Sequence, residues 1–78
     1  MKSAKEMFEE LGYTCEKSIG EIAYVYHIAN QRTYSRRINF YLSLKEYSAT
    51  EALSGLFIDV KLNKAIQKQM EELGWLDE

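Results

Sequence analysis

Residues 13–29 read YTCEKSIGEIAYVYHIA and predict a β-hairpin. Two runs rich in Tyr, Ile and Val flank Gly20-Glu21, and glycine at the first central position of a two-residue loop is typical of a type II′ turn. Pairing Ile19 with Ile22 across this turn fixes a register, and it puts the apolar residues on one side of the hairpin. The predicted core side holds Tyr13, Cys15, Lys17, Tyr24, Tyr26 and Ile28, with Lys17 opposite Tyr24, Cys15 opposite Tyr26 and Tyr13 opposite Ile28. The other side holds Thr14, Glu16, Ser18 and His27.

A third strand is predicted at residues 34–44. Its apolar residues Ile38, Phe40, Leu42 and Leu44 alternate with Arg37, Asn39, Tyr41 and Ser43. A plain four-residue loop at 30–33 would turn this apolar face away from that of the hairpin, because a one-residue change of register reverses every side chain. We therefore expect a one-residue shift, through a bulge or a five- or seven-residue loop, that pairs Tyr24 with Phe40 and Tyr26 with Ile38.

Residues 45–58 allow two interpretations. Tyr47-Ser48-Ala49-Thr50 can form a fourth strand at the edge of the sheet, followed by a turn at Ser54-Gly55. Ser48-Ala49-Thr50-Glu51 is also a capping box, which would start a helix. We favour the short strand and keep the helix as the alternative.

A helix is predicted at each end of the chain. Ser3-Ala4-Lys5-Glu6 is a capping box, the apolar residues 4, 7, 8 and 11 follow at helical spacing, and Gly12 ends a helix over residues 4–11. Asp59 is the expected N-cap of a second helix over residues 60–73, with Gly74 at its end and Trp75-Leu76 folding back onto the core. The sequence thus predicts a single α+β domain over residues 1–78: helix, three- or four-stranded antiparallel meander, helix, with both helices on one face of the sheet.

The composition is typical of a compact soluble domain. The chain has 78 residues, of which 46% are hydrophobic and 28% charged, and its net charge is −2. Residues 30–45 contain four basic side chains and no acid, so the rest of the chain carries −6, the total of −2 less this +4. The mildly acidic total predicts no general attraction to nucleic acid or to an anionic membrane.

The residues needed for common catalytic and metal sites are few. Cys15 and His27 are the only cysteine and histidine, and the hairpin register places them on opposite faces, so we predict neither a nucleophilic dyad nor a Cys/His zinc site. Glycines at 12, 20, 55 and 74 are too scattered for a phosphate-binding loop. We expect no enzyme activity, cofactor or metal. A single cysteine, no membrane-spanning run and no signal peptide predict a cytoplasmic protein.

The third strand and the residues just before it supply the candidate binding site. Arginines interleaved with tyrosines form hot spots in protein interfaces, and they also grip phosphates and stack on bases. The candidate residues are Arg32, Tyr34, Arg36, Arg37, Asn39 and Tyr41. We also expect the sheet face turned away from the helices to be open, bearing Val25, His27, Arg37, Asn39 and Tyr41. A protein partner is the leading hypothesis, with self-association through this face or an exposed edge strand, and nucleic-acid binding by the same residues is the alternative.

The two ends of the chain resemble known sequences. Residues 3–13, SAKEMFEELGY, and residues 64–75, KAIQKQMEELGW, look like the ends of small proteins encoded by phages and prophages of Gram-positive bacteria. The resemblance brings no catalytic residues. It implies a setting in the host cytoplasm, where small accessory phage proteins often bind a host protein, sometimes to inhibit a defence system.

Overall fold

A computed structural model of the chain describes residues 2–27, 35–51 and 58–77. The elements in order are α1 (Ala4–Glu10), β1 (Thr14–Ser18), β2 (Glu21–His27), β3 (Ser35–Tyr41), β4 (Glu46–Glu51), α2 (Val60–Glu72) and a 3₁₀ turn (Trp75–Asp77). The four strands form one antiparallel sheet in the order β1-β2-β3-β4. The predicted α+β order of helix, meander and helix is confirmed, and the meander has four strands.

Both helices begin at the predicted caps. The Ser3 hydroxyl accepts from the backbone N–H of Glu6, and the Glu6 carboxylate accepts from the N–H of Ser3, which completes the capping box of α1. Asp59 accepts from the N–H of Leu62 at 2.8 Å and caps α2 in the same way. Each helix ends one residue before its predicted end. None of the helices within the described ranges has the length and apolar character needed to cross a membrane.

The core lies between the helices and one face of the sheet. Phe8 of α1 stacks on Tyr24 of β2, with ring centroids 3.8 Å apart and planes 10° from parallel. The other buried residues of this cluster are Tyr13 in the loop after α1, Ile38 and Phe40 on β3, and Leu62, Ala65 and Ile66 on α2. Apolar residues from both helices and from the central strands thus meet on one side of the sheet, as predicted.

Contacts between the chain ends fix the helices against each other. The N–H of Ala4, at the start of α1, donates to Oε2 of Glu72, at the end of α2, at 2.8 Å. Trp75 folds back as predicted, and its ring centroid lies 6.1 Å from that of Phe40. Leu76 does not follow it and stays exposed.

The first hairpin turns one residue earlier than predicted. Its loop is Ile19-Gly20, and the strands pair Lys17 with Ile22 and Cys15 with Tyr24, so the predicted pairing of Ile19 with Ile22 is wrong. Gly20 has φ +81° and occupies the second central position, where a type II turn needs a positive φ. Because the register differs from the prediction by two residues, the side chains keep their predicted faces.

The second pairing is also displaced by two residues from the predicted one. Tyr24 lies opposite Ile38, and Phe40 lies opposite Ile22, in place of the predicted pairs of Tyr24 with Phe40 and Tyr26 with Ile38. A two-residue displacement leaves the apolar residues of both strands on the helix side, so the prediction that their faces agree is confirmed. The connection at 28–34, including Ile28, lies outside the described residues.

The third strand is shorter than predicted, and the fourth is present. β3 ends at Tyr41 and a turn follows over residues 42–45, with Lys45 at φ +54°. Leu44 is therefore exposed in the turn and does not face the core as predicted. β4 pairs Tyr47 with Phe40 and Ala49 with Ile38, which decides residues 46–51 in favour of the strand. The predicted turn at Ser54-Gly55 lies outside the described residues.

Candidate functional site

The side of the sheet turned away from the helices, called here the second face, is lined mainly by polar residues. The strand registers and the alternation of side chains along each strand define its members. They are Thr14, Glu16 and Ser18 on β1, Glu21, Ala23, Val25 and His27 on β2, Arg37, Asn39 and Tyr41 on β3, and Glu46, Ser48 and Thr50 on β4. Three of the six predicted binding residues are brought together here: Arg37, Asn39 and Tyr41.

A polar side chain from another strand holds each of these three residues. Arg37 Nη2 lies 3.6 Å from Glu16 Oε1, and because Arg37 is on β3 and Glu16 on β1, this ion pair crosses over β2. Asn39 Nδ2 donates to Glu21 Oε2 on the adjacent strand. The hydroxyls of Tyr41 and Ser48 lie 3.2 Å apart and share a hydrogen bond. The face therefore presents side chains whose positions are already set.

The centre of the second face is buried rather than open. Ala23 and Val25 are each 2% exposed and Asn39 is 6% exposed. Their register positions place Ala23 opposite Glu16 and Val25 opposite Arg37, so the ion pair of Glu16 and Arg37 lies diagonally over this pair of small residues. The expectation of an open face is thus wrong for Val25 and Asn39, and it holds at the rim.

The rim of the second face is where a partner can reach the protein. Arg37 and His27 are exposed there, and Tyr41 is half-buried. The other described side chains of this face that are exposed are Thr14, Glu16, Ser18, Glu46 and Thr50. The accessible part of the face therefore combines one arginine, one histidine, one tyrosine, hydroxyls and carboxylates, and it surrounds the buried residues Ala23, Val25 and Asn39.

The charge of the second face is negative. Among the described residues it carries three glutamates, at 16, 21 and 46, and one arginine, at 37, which gives −2 with His27 neutral. The predicted basic character of residues 30–45 is thus not reproduced on this face. A surface that grips a phosphate backbone needs an excess of Arg and Lys, and this face has an excess of acids.

Arg36 lies on the opposite side of the sheet from Arg37. Its Nε is 3.5 Å from Glu51 Oε1, and the Glu51 side chain is only 5% exposed, whereas that of Arg36 is 41% exposed. The guanidinium also lies 5.6 Å from the centroid of the Tyr26 ring. Burial opposes the charge of Arg36, but Glu51 and Tyr13 outweigh it and raise its pKa above the ordinary value. Arg36 therefore contacts Glu51 and Tyr26 on the helix side of the sheet, where it contributes to the fold.

Two predicted site residues cannot be placed, and three residues of the site were not predicted. Arg32 and Tyr34 lie outside the described residues. Glu16, Glu21 and Ser48 were not predicted, although they hold the three β3 residues of the site. Alternation along the hairpin already placed Glu16 on this face, but its contact with Arg37 depends on two strand registers together.

The chemistry-bearing residues do not converge. Cys15 is half-buried on the helix side, opposite Tyr24, and His27 is exposed on the second face, so the prediction that they lie on opposite faces is confirmed. Within the described ranges, no group of three or more His, Cys, Asp or Glu side chains is placed to hold a metal ion.

A shallow groove of about 360 Å³ runs between the helices, with Met7 and Leu11 bordered by Lys2, Glu10, Lys61 and Lys64.

Comparison with known proteins finds no significant match for this chain among family models, curated proteins or solved structures. The functional argument therefore rests on the geometry of the second face.

Proposed function

We propose that this chain is a small non-enzymatic binding module that recognises another protein through the rim of its second face. One observation carries the proposal: Arg37 and Tyr41 lie on the same face of β3, and each is held by a polar side chain of another strand, Glu16 for Arg37 and Ser48 for Tyr41. Arginine and tyrosine are favoured hot-spot residues, and side chains fixed before binding lose less conformational entropy in the complex.

The charge of the second face favours a protein over a nucleic acid. Nucleic-acid binding would require Arg37 to leave Glu16 and approach a phosphate across a face whose net charge is −2. Arg36, the neighbouring candidate, is turned to the other side of the sheet. A partner with mixed or basic surface residues complements the carboxylates at the rim.

The kind of partner follows from the resemblance of the chain ends to phage proteins. On that basis the target is a host protein in the cytoplasm, and the effect of binding is modulation or inhibition, as in blocking a host defence protein.

Capture from a Gram-positive cell extract tests the proposal. Tagged wild-type protein is compared with the Arg37→Ala/Tyr41→Ala variant, with and without nuclease, and recovered proteins are quantified by mass spectrometry. The matched control is Lys61→Ala/Lys64→Ala, which removes exposed cations from α2 in the other layer of the fold. Circular dichroism confirms that each variant is folded.

We expect a host protein that the control captures as well as wild type does and that the Arg37/Tyr41 variant captures at least about tenfold less, as for loss of a hot spot. Recovery that disappears with nuclease and falls steeply with salt supports the nucleic-acid alternative. Equal recovery by all three proteins contradicts a binding role for the second face.

A further inference from the structure

We propose that β4 pairs with β4 of a second copy of this chain, which joins the two sheets into one eight-stranded antiparallel sheet. This inference concerns the edge of the sheet and does not depend on the function proposed for the second face. It rests on the position of β4 at the end of the sheet that residues 2–27, 35–51 and 58–77 form, on the side-chain pattern of β4 and on its charges.

The two edges of the sheet differ in how they are protected. β1 carries the charged neighbours Glu16 and Lys17 in the middle of its five residues, and such charges discourage pairing with another strand. β4 carries its glutamates only at its two ends, 46 and 51, and the four residues between them are uncharged. Within the described part of the chain, β4 pairs on one side only, with β3.

Symmetry fixes which pairings β4 can make with itself. A two-fold axis perpendicular to the sheet keeps the helices of both copies on the same side, so opposed residues must face the same way. Helix-side residues 47, 49 and 51 must then meet helix-side residues, and second-face residues 46, 48 and 50 must meet one another. Two central registers satisfy this rule, one centred on Ser48 and one on Ala49.

Size and charge select the register centred on Ser48. Tyr47 then meets Ala49 of the second copy, a large side chain against a small one, and Glu46 meets Thr50. The register centred on Ala49 would instead oppose Tyr47 to Glu51, whose carboxylate already faces Arg36.

An exposed aromatic residue on β4 gives the dimer a second source of contact. Tyr47 is 40% exposed although its ring lies 5.7 Å from that of Phe40 in the core. Strand pairing alone buries less surface than a stable dimer needs, and a second copy paired with β4 would also cover the exposed part of the Tyr47 ring.

Light scattering and sedimentation over a range of concentrations test the proposal on the intact protein. Wild type is expected to be dimeric, with reversible dissociation on dilution. Thr50→Glu places a carboxylate opposite Glu46 at both ends of the shared strand pair. We expect it to raise the dimer dissociation constant about fivefold to tenfold, because like charges directly opposed across strands repel.

A charge reversal and a matched control decide the interpretation. Adding Glu46→Lys to Thr50→Glu restores opposite charges and should bring the dissociation constant back to within about threefold of wild type. Thr14→Glu makes the same change at the β1 end of the same row of residues and should leave it unaltered. A monomeric wild type, an equal effect of Thr14→Glu, or no recovery in the double variant overturns the proposal.

Discussion

Tyr24, at the centre of the sheet, donates a hydrogen bond from its hydroxyl to Oε1 of Gln69 on α2. Both residues are buried, at 1% and 5% exposure. The bond links the sheet to the second helix inside an otherwise apolar cluster, where a polar group without its partner is costly. Tyr24 also stacks on Phe8 of α1, so this one side chain contacts both helices.

The pair should behave as a coupled unit in a double-mutant cycle. Tyr24→Phe leaves Oε1 of Gln69 without this donor, and Gln69→Leu removes the acceptor of the Tyr24 hydroxyl, so each should lower the free energy of unfolding by about 1 to 3 kcal/mol. The double variant should cost less than the sum of the two, because it buries neither group unpaired. Urea denaturation of the four proteins measures the coupling.

The control for this cycle is Thr14→Val, which removes a hydroxyl at an exposed position on β1. It should change the free energy of unfolding by less than about 0.5 kcal/mol, as is usual for surface substitutions. Additive effects of the two core substitutions would show that the hydrogen bond contributes nothing specific.

Burial of Tyr24 predicts a loss of stability at alkaline pH. Removal from water raises the pKa of Tyr24 above the ordinary value of 10.0, and nearby Cys15, Glu72 and Glu9 add to the shift. The folded state therefore holds this proton more tightly than the unfolded state. Its contribution to stability is complete below about pH 10, the unfolded value, and is lost as the pH rises from there toward the folded value.

Unfolding of wild type and Tyr24→Phe by urea between pH 8 and pH 11 tests this dependence. Above pH 10 the free energy of unfolding of wild type should fall more steeply than that of the variant, by up to about 1.4 kcal/mol per pH unit. Comparing the two proteins removes the contribution of lysines, which titrate in the same range. Parallel curves for the two proteins would mean that Tyr24 ionises as freely in the folded state as in the unfolded one.

Gly12 and Gly74 both have positive φ after a helix, but only one is also crowded. Gly12 has φ +96°, and a Cβ there would lie 2.8 Å from Tyr26 Cε2, whereas Gly74 has φ +76° and a Cβ there would meet nothing within 4 Å. Gly74→Ala should cost about 1 kcal/mol for the left-handed backbone. Gly12→Ala should cost about 2 to 4 kcal/mol, because the ring of Tyr26 must also move.

Thermal unfolding of both glycine variants measures this difference. The prediction fails if Gly12→Ala is no less stable than Gly74→Ala. In that case Tyr26 adjusts without loss of packing.

The sequence was sufficient to predict which face each strand residue occupies, but not how far the strands slide along each other. Alternation of polar and apolar residues distinguishes odd from even displacements, and a displacement of two leaves the pattern unchanged. Both predicted pairings of Tyr24 erred by two residues for this reason. The turn at Ile19-Gly20 lies one residue before the predicted turn. In a hairpin, moving the turn by one residue changes the pairing of the two strands by two residues.

Tertiary contacts decided the features that local patterns left open. Ser48 could have capped a helix, but its hydroxyl bonds to Tyr41, while Tyr47 and Ala49 pair with core residues of β3. Val25 is buried although the strand registers place it on the face turned away from the helices, so the alternation along its own strand could not predict its burial. The candidate site grouped Arg36 with Arg37 by residue type, although their neighbouring positions in one strand require opposite faces.

That separation of Arg36 and Arg37 yields a test of which arginine supports the fold. Arg36→Ala removes the guanidinium that faces the buried Glu51 carboxylate and the Tyr26 ring. Since the Arg36 side chain is 41% exposed, solvent weakens the ion pair, and we expect a loss of about 1 to 3 kcal/mol. Arg37→Ala removes an exposed pair with Glu16 and should cost about 0 to 1 kcal/mol.

Urea denaturation of the two single variants measures this difference, and Arg36→Lys shows how much the planar guanidinium contributes beyond its charge. An intermediate stability for Arg36→Lys is expected, because lysine keeps the attraction to Glu51 but loses the stacking on Tyr26. Equal stability of the two alanine variants would contradict a structural role for Arg36. Arg36 would then be a candidate for contact with a partner, on the face of the sheet opposite to Arg37.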